Sequence, residues 1–371
     1  MEPFLAMEIM ERAQTLESRG IDVVHLEIGE PDFDVPECVR LATNHAVDNG
    51  HTHYTHSLGL SELRAAISQH YAKHYETRVD PERILITTGT SGALVLVMSL
   101  LLNEGDEVLI PDPGYACYPN FVRAFGGRPR AVPLDAAAGF RYAPSSFENA
   151  IGARTRAMIC NSPANPTAVI VEREVLARLS ELPVPIISDE IYHGLHYGDR
   201  PTSILELTDT AYVLDGFSKR FAMTGLRIGW LVAPREAVTT LQKLQQNLFI
   251  CASSIAQHAA LAALSEGLPA LDSMRETYAK RRQKLLTGLA RLGLRAAAAS
   301  EGAYYVLADA RHLDHDSLRL ARRLLEEAHV GVTPGIDFGA QAEGHLRFSF
   351  ASAQSRIEEG LARLERWLSN Q

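Results

Sequence analysis

Short runs of β-branched and aliphatic residues recur between positions 83 and 232, and Gly, Pro, Asn or Asp bounds each run. Runs of this kind are typical of β-strands. Several are apolar throughout, and helix-like segments such as 93–102 and 173–181 separate some of them, which predicts a mostly parallel sheet covered by helices on both faces. The predicted strands are 84–87, 108–110, 131–134, 157–160, 185–187, 212–214 and 228–232.

The pattern becomes helical after Pro234, over 237–264 and 271–292. Beyond Gly293, strand candidates at 304–307 and 345–350 alternate with helices near 318–328 and 356–368, as in an α+β unit. We therefore predict an α/β protein with a large domain, 37–290, built on a seven-stranded and mostly parallel sheet. Both chain ends, 1–36 and 291–371, are predicted to form a small α+β domain.

Composition narrows the class of partner. The 371 residues include 36 Lys+Arg against 45 Asp+Glu, a net charge of -9 that opposes binding to nucleic acid or an anionic membrane and favours a small-molecule partner. Four cysteines without a CxxC pair indicate reduced thiols and a cytoplasmic protein. The first residues lack the features of a secretory signal, and the longest apolar run, 93–102, is about half the length of a membrane span.

Ligands of open α/β sheets bind beyond the carboxyl ends of the strands, so the residues that follow each predicted strand are informative. The sequence TGTSG at 88–92 leads into an apolar helix and suits a phosphate, although for this short segment alone we favour a plain helix N-cap. Tyr115 follows the next strand and could stack on a planar cofactor or simply pack. Asn165 lies in a loop with two X-Pro bonds, which could hold its side chain in place or serve only as a turn.

Two charged residues follow later strands. Asp189 ends an apolar strand and needs a partner, either a cationic ring nitrogen or an Arg or Lys in a structural ion pair. Lys219 has apolar flanks that could lower its pKa and make it an amine nucleophile, or it could be a surface lysine. Each signal is weak alone. The evidence for a ligand site is their combination, because successive strand ends offer a phosphate site, a ring, an amide, a carboxylate and a lysine.

These motifs carry a family resemblance. With IGEPDF at 28–33, GTSGAL at 89–94, NSPANPT at 161–167, SDEIY at 188–192, SKRFAMTGLRIGW at 218–230 and LRFSFA at 346–351, nearly the whole chain resembles class I/II pyridoxal phosphate-dependent aminotransferases of the fold-type I, bacterial aspartate aminotransferase-like group. The resemblance implies pyridoxal 5′-phosphate as cofactor, an amino acid and a 2-oxo acid as substrates, and a homodimer with shared active sites. No metal is expected, and His51, His53 and His56 are interpreted as loop residues near the subunit interface.

The resemblance also implies roles at matching positions. Lys219 is the expected Schiff-base lysine and proton carrier, and Asp189 is expected to keep the pyridine nitrogen protonated. Tyr192 and Asn165 are expected to hydrogen-bond the ring 3-oxygen. The remaining expected contacts are Tyr115 on the ring face, Thr90, Ser91, Ser218 and Arg227 on the phosphate, Tyr54 on the phosphate of the neighbouring subunit, and Arg347, the Gly29 backbone and Asn165 at the substrate.

Two positions depart from the family pattern. Ala168 stands where the family has the glycine of NPTG, so this turn must form without glycine. Gly216 stands three residues before Lys219, where a hydroxyl residue is frequent, and this removes one side-chain ligand of the phosphate.

The function implied is a reversible amino transfer by a ping-pong mechanism through Lys219. The alternative on the same fold is a pyridoxal phosphate-dependent β-lyase acting on cysteine-sulfur bonds. A ligand-sensing regulatory domain is a third interpretation, which the acidic charge and the early start of the aminotransferase-like segment disfavour. The amino donor and acceptor stay open.

Overall fold

The structure is a computed structural model that describes residues 1 and 3–370. In chain order its strands are β1 (Val24–His25), β2 (Ile84–Thr87), β3 (Glu107–Asp112), β4 (Arg128–Pro133), β5 (Thr155–Asn161), β6 (Ile186–Asp189), β7 (Tyr212–Gly216), β8 (Gly229–Val232), β9 (Arg295–Ala296), β10 (Tyr305–Asp309), β11 (Val330–Gly331), β12 (Thr333–Pro334) and β13 (His345–Ser349). Its α-helices are α1 (Leu5–Glu17), α2 (Glu37–Asp48), α3 (Ser61–His74), α4 (Gly89–Leu101), α5 (Tyr118–Ala124), α6 (Pro144–Ala150), α7 (Arg173–Ser180), α8 (Arg235–Leu248), α9 (Ser254–Glu266), α10 (Leu268–Arg291), α11 (Ser317–Ala328) and α12 (Gln354–Leu368).

The predicted α/β fold is confirmed, because all seven predicted strands pair in one sheet of the described chain. Their order is β2-β8-β7-β6-β5-β3-β4, and only β8 runs antiparallel to its neighbours. The reversal of β8 has a direct consequence for function. Arg227, two residues before β8, lies at the same edge of the sheet as the residues that follow the other strands.

The two faces of this sheet explain why several strands are apolar throughout. Ile84 and Ile86 of β2 pack into one hydrophobic core, whereas Leu85 between them packs into a second core on the opposite face. Successive side chains of a strand point to opposite faces, so a sheet covered on both faces needs apolar residues at consecutive positions. Burial on both faces makes this sheet a rigid support for the loops at its edge.

The chain ends meet in the second part of the fold. β1, near the N-terminus, pairs in parallel with β11, and the order β12-β13-β10-β9 forms a four-stranded antiparallel sheet. The strands and helices predicted beyond Gly293 are present there. The domain boundaries at 36/37 and 290/291 stay a prediction.

One helix prediction is wrong. The segment 237–264 is not one helix but two, α8 and α9, with a break over 249–253. Ile250 has φ of 66°, in the left-handed region, and the Ser253 Oγ accepts a hydrogen bond from the backbone N–H of Ala256 at the start of α9. An apolar residue in this conformation gives no sequence signal for a helix end, so the hydrophobic periodicity predicted one continuous helix.

All four cysteines are free thiols, as predicted. Among residues 1 and 3–370, no helix combines the length and the apolar character needed to cross a bilayer. In the same residues, no group of three or more His, Cys, Asp or Glu side chains is arranged to hold a metal ion. The cytoplasmic location stays a prediction.

Candidate active site

A cavity of about 430 Å³ lies at the carboxyl edge of the large sheet, where it meets the part built from the chain ends. It brings together residues that are up to 343 positions apart, from Phe4 to Arg347. The predicted site residues that line it are Gly29, Thr90, Ser91, Tyr115, Asn165, Asp189, Tyr192, Ser218, Lys219, Arg227 and Arg347. Tyr54 is the one predicted residue that does not line the cavity.

Asp189 presents a buried carboxylate to this cavity from the end of β6. Its Oδ2 accepts a hydrogen bond from the Tyr118 hydroxyl at 2.6 Å, and its Oδ1 accepts one from the Ile191 N–H at 3.2 Å. Burial raises the pKa of Asp189 to about 6, and the Tyr118 hydrogen bond opposes that shift. Within the described chain Asp189 forms no salt bridge, so the structural ion pair considered from the sequence is absent and a cation from outside can complete the site.

Lys219 follows β7 and is partly buried, unlike a surface lysine. Its Nζ donates a hydrogen bond to the Gly29 carbonyl at 2.8 Å. Burial lowers the pKa of Lys219 to about 8; the positive charges of Arg227 and Arg347 act in the same direction, and Glu30 opposes them. A lower pKa leaves more of the amine neutral near pH 7, and the neutral amine is the nucleophile.

Arg347 on β13 is 3% exposed and is held by three acceptors. Its Nη1 donates to the Asn165 Oδ1 at 2.9 Å, and its Nη2 donates to the Glu27 carbonyl at 2.7 Å and to the Thr333 Oγ1 at 3.0 Å. These bonds orient the plane of the guanidinium. In the described structure its Nε is buried without a hydrogen-bond partner, which leaves a donor for a carboxylate ligand.

Two aromatic rings lie against this arginine, and an ion pair lies next to it. The Arg347 Cζ lies 4.3 Å from the ring centre of Tyr305 and 4.9 Å from that of Phe338. The Glu27 Oε1 lies 2.6 Å from the His25 Nδ1, and this hydrogen bond is the main cause that raises the pKa of His25 to about 9. The cationic His25 therefore compensates the buried Glu27 carboxylate next to the Arg347 site.

The first turn of α4 and Arg227 form a site suited to an anion. Thr90 and Ser91 lie in that turn, and the Thr88 side chain makes no capping hydrogen bond, which argues against the plain N-cap interpretation. Arg227 has φ of 50°, and its Nη1 donates to the Thr224 carbonyl at 3.0 Å. A Cβ on Gly89 would lie 2.8 Å from the Arg227 Nη2, so glycine gives the guanidinium room at the helix start. Backbone N–H groups of a helix start and an arginine are a typical phosphate site.

Tyrosines form much of the remaining lining. The Tyr192 and Tyr305 hydroxyls share a hydrogen bond of 2.9 Å. Tyr115 is partly buried, and its ring packs edge-on against Tyr118 at 5.2 Å and Phe4 at 6.3 Å between centres. The ring of Tyr115 therefore both packs and borders the cavity, so the two interpretations of this residue are compatible.

The two departures from the family pattern have simple structural reasons. Ala168 adopts φ of 58°, the left-handed conformation that favours glycine, so the turn forms with alanine at some conformational cost. A Cβ on Gly216 would lie 3.1 Å from the Gly229 Cα of the neighbouring strand. The close approach of β7 and β8 thus leaves little room for a hydroxyl side chain at position 216.

Tyr54 lies outside the cavity lining with 80% of its surface exposed. The loop that carries it is attached to the break between α8 and α9. The Thr55 N–H donates to the Cys251 Sγ at 3.4 Å, and the Ser254 Oγ donates to the His51 carbonyl at 2.8 Å. Tyr54 is therefore presented to solvent in the single chain.

Sequence reasoning missed several residues of the site. Tyr118, Tyr305 and Thr333 contact predicted residues directly, and the start of α1 contributes Phe4, Met7 and Met10 to the lining. Tyr118 had a local signal, because it stands three residues after Tyr115 in PGYACY, at the start of α5. The other residues do not follow a strand of the large sheet, so the positions after those strands could not indicate them.

Comparisons with known proteins identify the family of this chain. The family model described as aminotransferase class I and II matches residues 21–364. A (5-formylfuran-3-yl)methyl phosphate transaminase of Methanocaldococcus jannaschii is 39% identical over 372 residues, 99% of this chain and 97% of that protein. An aspartate/prephenate aminotransferase of Thermus thermophilus is 38% identical over 376 residues, with 99% and 97% covered.

A crystal structure of an aminotransferase from Mycobacterium tuberculosis superposes with a TM-score of 0.96 at 35% identity, covering 100% of this chain and 98% of that chain. The relatives named above are aminotransferases or transaminases, and none of them is named a lyase. The chain belongs to the class I and II aminotransferases, a family of pyridoxal phosphate-dependent transaminases.

Proposed function

We propose that the protein transfers the amino group of an L-amino acid to a 2-oxo acid by a ping-pong mechanism, with pyridoxal 5′-phosphate held at Lys219. One observation carries this proposal. A partly buried amine at Lys219, a buried carboxylate at Asp189 and a buried guanidinium at Arg347 line the same cavity. An amine, an anion for a ring nitrogen and a receptor for a carboxylate are the groups that amino transfer requires of the protein.

The residues present fit this cofactor. Asp189 is a buried carboxylate without a cationic partner in the described chain, and a protonated pyridine nitrogen would compensate it. The uncapped first turn of α4 and Arg227 suit the phosphate group. Tyr115 offers a ring face or edge to a planar ligand from the same side of the sheet.

When bound, the cofactor accepts the amino group and withdraws electrons from the substrate α-carbon. Lys219 Nζ, neutral in part because its pKa is about 8, would take the proton from that carbon. The Asp189 carboxylate would accept a hydrogen bond from the ring N–H and so favour the protonated ring. Since Asn165 Oδ1 accepts from Arg347, its Nδ2 amide is left to donate to the ring oxygen together with the Tyr192 hydroxyl.

Arg347 orients the amino acid by its α-carboxylate. Asn165, Glu27 and Thr333 already fix the guanidinium, so little side-chain entropy is lost when the substrate binds. The carboxylate held there would direct the α-carbon toward Lys219, whose Nζ donates a hydrogen bond to the Gly29 carbonyl. Orientation of this kind turns proton transfer into an intramolecular step.

The half-reaction tests this proposal. Holoenzyme mixed with an amino donor and no acceptor should release about one 2-oxo acid per subunit and then stop, because the amino group stays on the enzyme until a second 2-oxo acid removes it. Initial rates with both substrates should give parallel double-reciprocal lines. Continuous release of a 2-oxo acid and ammonia without an acceptor would contradict amino transfer.

We further propose that the enzyme acts as a homodimer with shared active sites, in which Tyr54 reaches the phosphate of the neighbouring subunit. Its 80% exposure supports a role outside its own chain. Leu248 and Ile250, 51% and 47% exposed, lie next to the segment that holds the Tyr54 loop, and a second copy would remove them from water. Light scattering should give about twice the chain mass of 40.7 kDa, and a fully active monomer would contradict the proposal.

A further inference from the structure

The start of α1 forms a separate part of the cavity lining. Phe4, which directly precedes the helix, and Met7 and Met10 within it all border the cavity, and we call these three residues the α1 face. The other side of the helix, with Ile9 and Ala13, is fully buried in the core. Residues three apart lie on the same side of a helix, so the two sides of α1 have different neighbours.

Contacts to the substrate-carboxylate site fix the position of α1. The backbone N–H groups of Leu5 and Ala6 donate to the Asp337 carboxylate at 2.8 and 3.1 Å. Phe338, the next residue, packs its ring on the Arg347 guanidinium. The ring of Phe4 meets the edge of Tyr115. The α1 face is therefore a fixed part of the cavity. Asp337 and Phe338 connect it to Arg347, and Phe4 connects it to Tyr115.

Under the proposed function, each cationic side chain that lines the cavity already has a role. Its cationic lining residues in the described chain are Lys219, Arg227 and Arg347. The first reacts with the cofactor, the second suits the phosphate, and the third suits the α-carboxylate of the substrate. Among the acidic lining residues, Asp189 suits the ring nitrogen and Glu27 is paired with His25. The third, Glu30, is exposed and accepts a hydrogen bond from the Thr224 hydroxyl. Within this subunit, a second carboxylate on an amino donor would meet apolar side chains and Glu30.

We propose that the α1 face receives the side chain of the amino donor, and that the enzyme selects donors with large apolar or aromatic side chains over aspartate and glutamate. This inference rests on the proposed function. Methionine side chains adapt to apolar groups of different shape, so the α1 face suits several such donors and not one alone. A carboxylate placed against it would lose its hydration without gaining a cation from this chain.

Single-turnover absorbance changes of the holoenzyme with one donor at a time test this assignment. We expect the second-order rate constants for L-phenylalanine, L-leucine and L-methionine to exceed those for L-aspartate and L-glutamate by at least about 100-fold. Aspartate reacting within about threefold of the best apolar donor would overturn the assignment and leave amino transfer intact. No absorbance change with any donor would overturn the proposed function and this assignment with it.

A charge placed on the α1 face provides an independent measurement. Met7 is 42% exposed, so Met7→Arg should fold, and its guanidinium should raise the ratio of the aspartate rate constant to the phenylalanine rate constant by at least about tenfold. Gln14→Arg is the matched control, because it adds the same charge to an exposed position of the same helix outside the cavity lining. An unchanged ratio in folded Met7→Arg would overturn the role of the α1 face.

Discussion

Lys219→Ala should lower the rate of amino transfer by about 10⁴-fold or more, the largest loss we expect from any single substitution. Alanine removes both the amine that reacts with the cofactor and the group that moves the α-carbon proton. The Gly29 carbonyl, which accepts from Lys219 Nζ at 2.8 Å, would lose that partner but keep the hydrogen bond from the Tyr304 hydroxyl. The fold should therefore survive, and steady-state kinetics with added cofactor measures the loss.

Covalent capture separates the chemical role of Lys219 from a structural one. Borohydride reduction of the holoenzyme should attach the cofactor to the peptide that contains Lys219, and mass spectrometry should find no such adduct in Lys219→Ala. The rate of cofactor capture by the cofactor-free protein should rise with pH through about 8, since only the neutral amine attacks. Lys243→Ala, which removes an exposed lysine of α8, is the matched control. Full turnover by Lys219→Ala would refute the proposed function.

Arg347→Gln should reduce kcat/KM for amino donors by about 100-fold or more, mainly through a higher KM. Glutamine cannot offer two parallel N–H donors to the substrate carboxylate. Glutamine also leaves at least one buried acceptor of Arg347 without a donor, which lowers the free energy of unfolding by about 1–3 kcal/mol. These acceptors are the Asn165 Oδ1, the Glu27 carbonyl and the Thr333 Oγ1. Arg347→Lys keeps the charge but not the planar fork, so it should restore only part of the affinity.

Two controls keep this prediction specific. Arg319→Gln removes an arginine whose side chain is 61% exposed on α11, and KM should not change. Thermal unfolding of Arg347→Gln with bound cofactor should show whether lost stability contributes. An Arg347→Gln enzyme with the KM of the unsubstituted enzyme would show that another group binds the α-carboxylate.

Local patterns were sufficient to predict the large sheet. Apart from the edge strand β4, the strands of this sheet are mostly apolar on both faces, and turn-forming residues bound the runs that mark them. Their positions therefore follow from a few neighbouring residues. The break between α8 and α9 was not predictable in this way. Ile250 in a left-handed conformation is held by its surroundings, because its own side chain disfavours that conformation.

The order of the strands in space also lay beyond the sequence patterns. β8 runs antiparallel between β2 and β7, and this places Arg227 at the edge where Asp189 and Lys219 lie. A motif such as SKRFAMTGLR shows the spacing of the lysine and the arginine along the chain. The direction of the following strand decides whether the two side chains reach the same cavity.

The class of the fold, the apolar strands and the chemical types at their ends could be predicted from local patterns, because backbone sterics and hydrophobic periodicity act over a few residues. The side chains that support those groups are known only from the folded chain. Tyr118 contacts Asp189 across 71 positions, and Arg347 contacts Asn165 across 182. Partners so distant in the chain are selected by packing and by the need of buried polar atoms for hydrogen bonds, and neither requirement leaves a local pattern in the sequence.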